Sequence, residues 1–147
     1  MGLILLVEDE PGAVALMRRY VENSSPEHTL AAFPKAAEAL SYAAEHKVDL
    51  FILDIQLLDY RGTELARQLR AMSEYRFTPI LFTTELAGEE LSAYREIKCY
   101  DFLVKPFTEA EFHKAFQAAL AMGEQMRAAP EILRIEQKQF LFEYEVG

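Results

Sequence analysis

The sequence predicts an α/β fold built on an open parallel sheet, and three observations carry that expectation. Short apolar runs alternate along the chain with segments of helical period, the pattern of repeated βα units. Residues that bear chemistry directly follow four of the runs: Leu3 to Val7 precedes Glu8 and Asp9, Leu50 to Leu53 precedes Asp54, Ile80 to Thr83 precedes Thr84, and Phe102 to Val104 precedes Lys105 and Pro106. In such a sheet the strand ends converge on one crevice where ligands bind, so acidic, hydroxyl and ammonium groups would meet there. Finally, 147 residues that are 51% hydrophobic suffice for one compact domain with a modest extension.

Leu3 to Val7 is an unbroken apolar run, as a strand buried on both faces requires, and a strand over 3–7 follows. The helix expected over 11–23 gathers Val14, Met17, Tyr20 and Val21 on one face and turns Arg18, Arg19 and Glu22 outward. A strand at 29–33 and a helix at 35–46 continue the alternation, and the run ending at Leu53 sets a third strand at 49–53. The helix at 62–75 points Leu65, Leu69 and Met72 inward, with Glu64, Arg67, Gln68 and Arg70 mostly outward. Strands at 79–83 and 100–104 flank a helix at 87–96. The last helix, 108–126, carries Phe112, Phe116, Ala119 and Leu120 as one stripe. Thr108 with Glu111 forms a capping box at its start, and Pro106 stops the strand before it.

Composition changes beyond that helix. Gly123 weakens it and Ala128-Ala129-Pro130 reads as a linker, which divides the chain into a domain over 1–125, a linker over 126–130 and a remainder over 131–147. In the remainder, Ile132 to Glu136 and Phe140 to Val146 read as two strands around Gln137-Lys138-Gln139. Phe140, Phe142, Tyr144 and Val146 alternate with Leu141, Glu143 and Glu145. A lone hairpin is marginally stable in water, so this one must rest on the main domain, on another chain or on further structure.

Bulk properties exclude several classes. Fifteen basic residues against twenty-four acidic ones give a formal charge of -9, a surface that repels nucleic acid and anionic lipid. Neither DNA binding by this chain alone nor a membrane partner is expected. No stretch approaches the length of a membrane span, and the N-terminal run lacks the length and basic leader of a signal peptide. Gly2 invites a myristoylation reading, but Leu6 stands where Ser or Thr is required. Cys99 is the single cysteine, so no disulfide forms within the chain and a reducing, cytoplasmic location is expected.

The strand-end residues point to phosphoryl transfer centred on Asp54. A carboxylate can attack a phosphoryl group to form an acyl phosphate, after which positioning and charge neutralisation dominate. Glu8 and Asp9 put two further carboxylates beside it, a cluster that repels itself and raises the pKa of at least one member. Mg²⁺ relieves the conflict, because it takes a few carboxylates, waters and phosphate oxygens in an octahedron. Lys105 offers a compact positive charge and Thr84 a hydroxyl donor to the same oxygens. Taken singly, these residues have plainer roles: Glu8, Asp9 and Glu10 serve a helix N-terminus equally well, and Asp54 or Lys105-Pro106 an ordinary turn. Their shared position after parallel strands favours a site.

The stretches LILLVEDEPGA (3–13), DLFILDIQLLDYRGTEL (49–65), TPILFTTE (78–85) and YDFLVKPF (100–107) resemble the receiver domains of two-component response regulators, over residues 3 to about 125. The resemblance implies a flavodoxin-like (CheY-like), doubly wound five-stranded parallel sheet in the order 2-1-3-4-5, with the C-terminal hairpin as an extension. It implies that Asp54 accepts a phosphoryl group from a sensor histidine kinase. Glu8, Asp9, Asp54 and the backbone carbonyl of Gln56 would hold Mg²⁺, and Thr84 and Lys105 would contact the phosphoryl oxygens. The bond from Lys105 to Pro106 is expected to be cis. Phe102 is expected to be a switch aromatic that turns inward as Thr84 moves toward the phosphate.

The tail ILRIEQKQFLFEYEVG (132–147) resembles the start of the β-rich DNA-binding domain of LytTR-type (LytR/AlgR-like) regulators, so the chain would stop soon after that domain begins. Arg134 and Lys138 against Glu131, Glu136, Glu143 and Glu145 offer no phosphate-binding surface of their own. The alternative is a stand-alone receiver that self-associates through the hairpin or helix 108–126. Three positions depart from the family pattern. Leu58 replaces a usual proline and loosens the loop after Asp54, and Arg61 replaces a frequent acid before Gly62. Glu85 stands where a small residue is usual, so phosphorylation from small donors is expected to be slow unless the carboxylate swings to solvent. Gln56 and Leu86 occupy the positions that tune the hydrolysing water; Leu86 cannot hydrogen-bond it, and a phosphorylated lifetime of minutes or longer is expected.

Two other functions compete with a signalling domain that regulates transcription and catalyses only its own phosphorylation and dephosphorylation. A phosphatase of the haloacid-dehalogenase type also uses a strand-end Asp and Mg²⁺, but wants a second Asp where this chain has Gln56. An inactive receiver that serves only as a protein-binding module is the other, and Glu85 keeps it open.

Overall fold

In the computed structural model, which describes residues 2–85 and 101–128, the apolar runs become β1 (Gly2–Val7), β2 (His28–Phe33), β3 (Leu50–Asp54), β4 (Ile80–Thr84) and β5 (Asp101–Val104). All pairs are parallel and the order is β2-β1-β3-β4-β5. The unbroken apolar runs occupy the centre: β3 and β4 are buried throughout and β1 from Ile4 to Val7, while β2 and β5 at the edges are partly exposed.

Starting in the middle, the chain winds outward in both directions and lays helices on both faces, as the right-handed crossover rule requires. α1 (Pro11–Ser24) and α4 (Glu109–Ala128) cover one face, where Met17, Val21, Phe112 and Phe116 meet Ile4, Leu6, Ile52 and Leu81. α2 (Ala36–Glu45) and α3 (Gly62–Arg70) cover the other, where Ala39, Ala43, Leu65 and Leu69 meet Leu5, Val7, Leu53 and Phe82. Alternate residues of each central strand therefore feed two separate cores. The flavodoxin-like expectation holds.

The last helix starts as expected. The capping box is formed: Thr108 N donates to Glu111 Oε1 (2.8 Å) and Glu111 N donates to Thr108 Oγ1 (3.1 Å). α4 continues to Ala128, two residues past the expected end, with Gly123 buried inside it rather than terminating it. Packing of an apolar face outweighs a glycine penalty of about 1 kcal/mol.

One helix differs from expectation. α3 ends at Arg70, not at 75, and a 3₁₀ turn over Ser73–Tyr75 follows. Arg70 Nη1 reaches forward to the carbonyls of Tyr75 (2.8 Å) and Thr78 (2.6 Å), and the Tyr75 ring packs edge-on against Phe51 with centroids 5.0 Å apart. The helix expected at 87–96, Leu86, Cys99 and the hairpin at 131–147 lie outside the described residues. No described helix is long and apolar enough to cross a membrane.

Candidate functional site

Strand register brings the chemistry together. Val7 stands opposite Leu53, Asp54 opposite Thr83, and Thr84 opposite Val104, so four strands end level at one edge. The residues that leave them, Glu8 and Asp9 after β1 and Lys105 after β5, therefore flank the ends of β3 and β4.

The acids at the start of α1 divide their work. Glu10 caps the helix, its two carboxylate oxygens accepting from the N–H groups of Gly12 and Ala13 at 2.9 Å each. Glu8 and Asp9 are left for the crevice. Lys105 Nζ donates to Glu8 Oε1 at 2.7 Å and to Asp54 Oδ2 at 2.9 Å. The opposite oxygens take main-chain donors: Glu10 N to Glu8 Oε2 (3.2 Å) and Gln56 N to Asp54 Oδ1 (2.9 Å). Glu8 is 2% and Asp54 5% exposed, and Thr84 is fully buried. Lys105 N also donates to Thr84 O at 2.7 Å, and the Lys105–Pro106 bond is cis.

This is costly electrostatics. Burial pushes the Glu8 carboxyl above its ordinary range, against the pull of the Lys105 hydrogen bond, and the Asp54 charge adds to the push. Burial alone would lower Lys105, but its bonds to Glu8 and Asp54 and their charges hold it above its ordinary value. One carboxylate oxygen from each of Glu8, Asp9 and Asp54 lies within 4.8 Å of the others. One ammonium against three carboxylates leaves the cluster negative, and its hard oxygen donors suit a small divalent cation.

Glu8, Asp9, Asp54 and Lys105 thus form one cluster, and Gln56 joins it through its N–H. Thr84 is level with the cluster and tied to Lys105 through the main chain. Phe102 lies inward, 8% exposed and stacked on Phe82 with centroids 6.0 Å apart. Glu85 is exposed, the arrangement in which it obstructs least. Leu58, in the loop after Asp54, is 66% exposed.

Gly62 escaped the sequence reading as a site residue. A Cβ there would sit 2.1 Å from the carbonyl oxygen of Asp54, so only glycine lets α3 start this close to β3. Asp59 escaped it too: its carboxylate bonds the first two residues of α2. The signal for Gly62 was its place at the predicted helix start, where a close backbone approach is one reason for glycine.

The chain belongs to the family described as the response regulator receiver domain, whose profile matches residues 4–117. Receiver domains are signalling domains, which sets the phosphatase alternative aside. Among relatives, the cyclic di-GMP phosphodiesterase response regulator RpfG of Xanthomonas campestris pv. campestris is 31% identical over 141 residues, 94% of this chain and 37% of RpfG. The sensory transduction protein LytT of Enterococcus faecalis is 30% identical over 129 residues, 87% of this chain and 51% of LytT. The chain thus spans about half or less of the length of both relatives. Among solved structures, the receiver domain of sensor histidine kinase PA1611 from Pseudomonas aeruginosa PAO1, with a magnesium ion coordinated in its active-site cleft, is 24% identical. It shares the fold at a TM-score of 0.73 over 82% of this chain and 98% of that one.

Proposed function

We propose that this receiver takes a phosphoryl group on Asp54 from the phosphohistidine of a sensor histidine kinase. Glu8, Asp9, Asp54 and the Gln56 carbonyl would hold Mg²⁺. The observation that carries the reading is the pair of Lys105 bonds to Glu8 and Asp54 at the mouth of a buried acid cluster. No stability argument asks for such a cluster, whereas phosphoryl transfer does.

A carboxylate oxygen of Asp54 forms the P–O bond as the P–N bond to the kinase histidine breaks, and the electron pair stays on that nitrogen. Bound Mg²⁺ supplies positive charge to the acids and to the phosphoryl oxygens. Gln56 N–H orients Asp54 by holding Oδ1. Lys105 turns from the carboxylates toward the phosphoryl oxygens, and the Thr84 hydroxyl donates to them. Displacement of Thr84 then favours the inward position of Phe102, the position its ring occupies here against Phe82. The face formed by β5 and α4 would change for a partner or a second copy.

Transcription is the output we favour, through a LytTR-type domain that begins within 131–147. What supports it is the period-two pattern of Phe140, Phe142, Tyr144 and Val146 and the relative LytT. Acetyl phosphate with Mg²⁺ tests the core of the reading by intact-mass measurement. Wild type should gain one phosphoryl group, and Asp54→Asn none. Indifference of wild type to both acetyl phosphate and beryllofluoride would leave only the phosphorylation-independent binding module.

A further inference from the structure

The loop between β3 and α3 carries more of the site than its first residue. It supplies the Gln56 N–H that holds Asp54 Oδ1 and the Gln56 carbonyl proposed as a metal ligand. Both depend on where the loop lies. Its base is fixed, with Ile55 N donating to Thr83 O (3.0 Å) and Gly62 N to Ile55 O (2.8 Å). Its middle is mixed: Gln56, Leu58 and Asp59 are exposed, while Leu57 and Tyr60 rest half-buried against the core and the Tyr60 hydroxyl donates to Gln68 Oε1 (2.9 Å).

Asp59 supplies a hold of another kind. Oδ1 accepts from Ala36 N at 2.9 Å and Oδ2 from Ala37 N at 3.0 Å, reaching back 23 and 22 residues to the first turn of α2. That helix has no cap of its own, because Lys35 at its entry makes no side-chain bond to it. Slight burial pushes the Asp59 carboxyl up, but the N–H groups of Ala37, Ala36, Asp59 and Tyr60 outweigh it and hold the carboxyl below its ordinary value. The bonds are charge-assisted and sit at the positive end of the helix dipole.

We propose that Asp59 is a positioning residue: its carboxylate ties the Gln56 turn to the start of α2, so that the two hold or open together. The proposal builds on the phosphoacceptor reading, yet the tie itself is measurable without it. Coupling of this kind is reciprocal, so whatever orders the loop also orders Ala36 and Ala37. α2 then senses the site by a route that includes neither Thr84 nor Phe102.

The test compares Asp59→Ala and Asp59→Asn with Tyr75→Phe, which removes a hydroxyl bonded near the other end of α2 and leaves the loop untouched. Amide hydrogen exchange is read at Gln56, Ala36 and Ala37, alongside thermal unfolding and Mg²⁺ titration. Asp59→Ala should speed exchange at all three by about fivefold beyond any global loss of stability, the scale of a lost cap. Asp59→Asn keeps one acceptor and should fall between, and Tyr75→Phe should change Gln56 only as global stability changes. Mg²⁺ affinity should drop in Asp59→Ala and not in Tyr75→Phe. Faster exchange at Ala36 and Ala37 with Gln56 unmoved would overturn the proposal, since Asp59 would then be a cap and nothing more. A wild type that neither binds Mg²⁺ nor accepts a phosphoryl group would sink the phosphoacceptor reading instead, while the exchange comparison still decides the tie.

Discussion

Toward the N-terminal ends of the strands, three polar side chains bond main-chain groups; at the C-terminal ends, two carboxylates that also take main-chain donors share one ammonium. Asp49 Oδ2 accepts from Leu3 N (2.8 Å), Arg70 holds the carbonyls of Tyr75 and Thr78, and the buried Tyr75 hydroxyl donates to Ala43 O (2.7 Å) and accepts from Val48 N (3.3 Å). Each of these satisfies a backbone group that folding would otherwise strand. The opposite end buries Glu8 and Asp54 side by side with one ammonium between them. Gathering like charges out of water is unfavourable unless something further arrives to use them. One end is arranged for stability; the other fits the chemistry proposed for it.

Variants at the two ends should therefore separate stability from phosphorylation. Asp54→Asn has the largest expected effect, complete loss of acetyl phosphate labelling, with a thermal midpoint that does not fall because a buried like charge has gone. A clear drop in that midpoint would mean the cluster is structural. Gly62→Ala attacks the join between chemistry and scaffold: the new methyl meets a main-chain carbonyl that cannot step aside, and about 3 kcal/mol of stability should be lost in denaturant unfolding. Tyr75→Phe should cost about 2 kcal/mol by leaving the Ala43 carbonyl without its donor and the Val48 N–H without its acceptor, yet label at the wild-type rate. The smallest change sharpens the comparison from within the sheet. Among the described residues, the fully buried Thr83 Oγ1 has no hydrogen-bond partner, so Thr83→Val should gain about 1 kcal/mol; a loss would reveal a partner for the hydroxyl.

The features legible in the sequence were those that depend on near neighbours. Short apolar runs marked the strands: β1, β3 and β4 are buried on both faces and need little else, and β2 and β5 at the edges continue the alternation with helices. The convergence of Glu8, Asp9, Asp54 and Lys105 followed from their places after those runs, once the strands were parallel. The end of α3 was not legible, because Leu65, Leu69 and Met72 keep helical spacing while the stop comes from Arg70 bonding to the turn ahead. Nor was the Asp59 tie: a cap supplied across 22 residues leaves no local pattern. The division between Glu10 as cap and Glu8 and Asp9 as crevice acids needed coordinates, since all three are acids at a helix start.

Lys105 follows the edge strand β5 and fastens, past the tip of β4, to the acid that follows β1 and the acid that ends β3. The rim of the sheet is thereby on a leash whose far end is knotted at the centre. Were Asp54 phosphorylated as proposed, that amine would gain new oxygens to hold and the knot would move. Any reagent that discharges the amine would cut the leash, leaving the rim deaf to events at the middle.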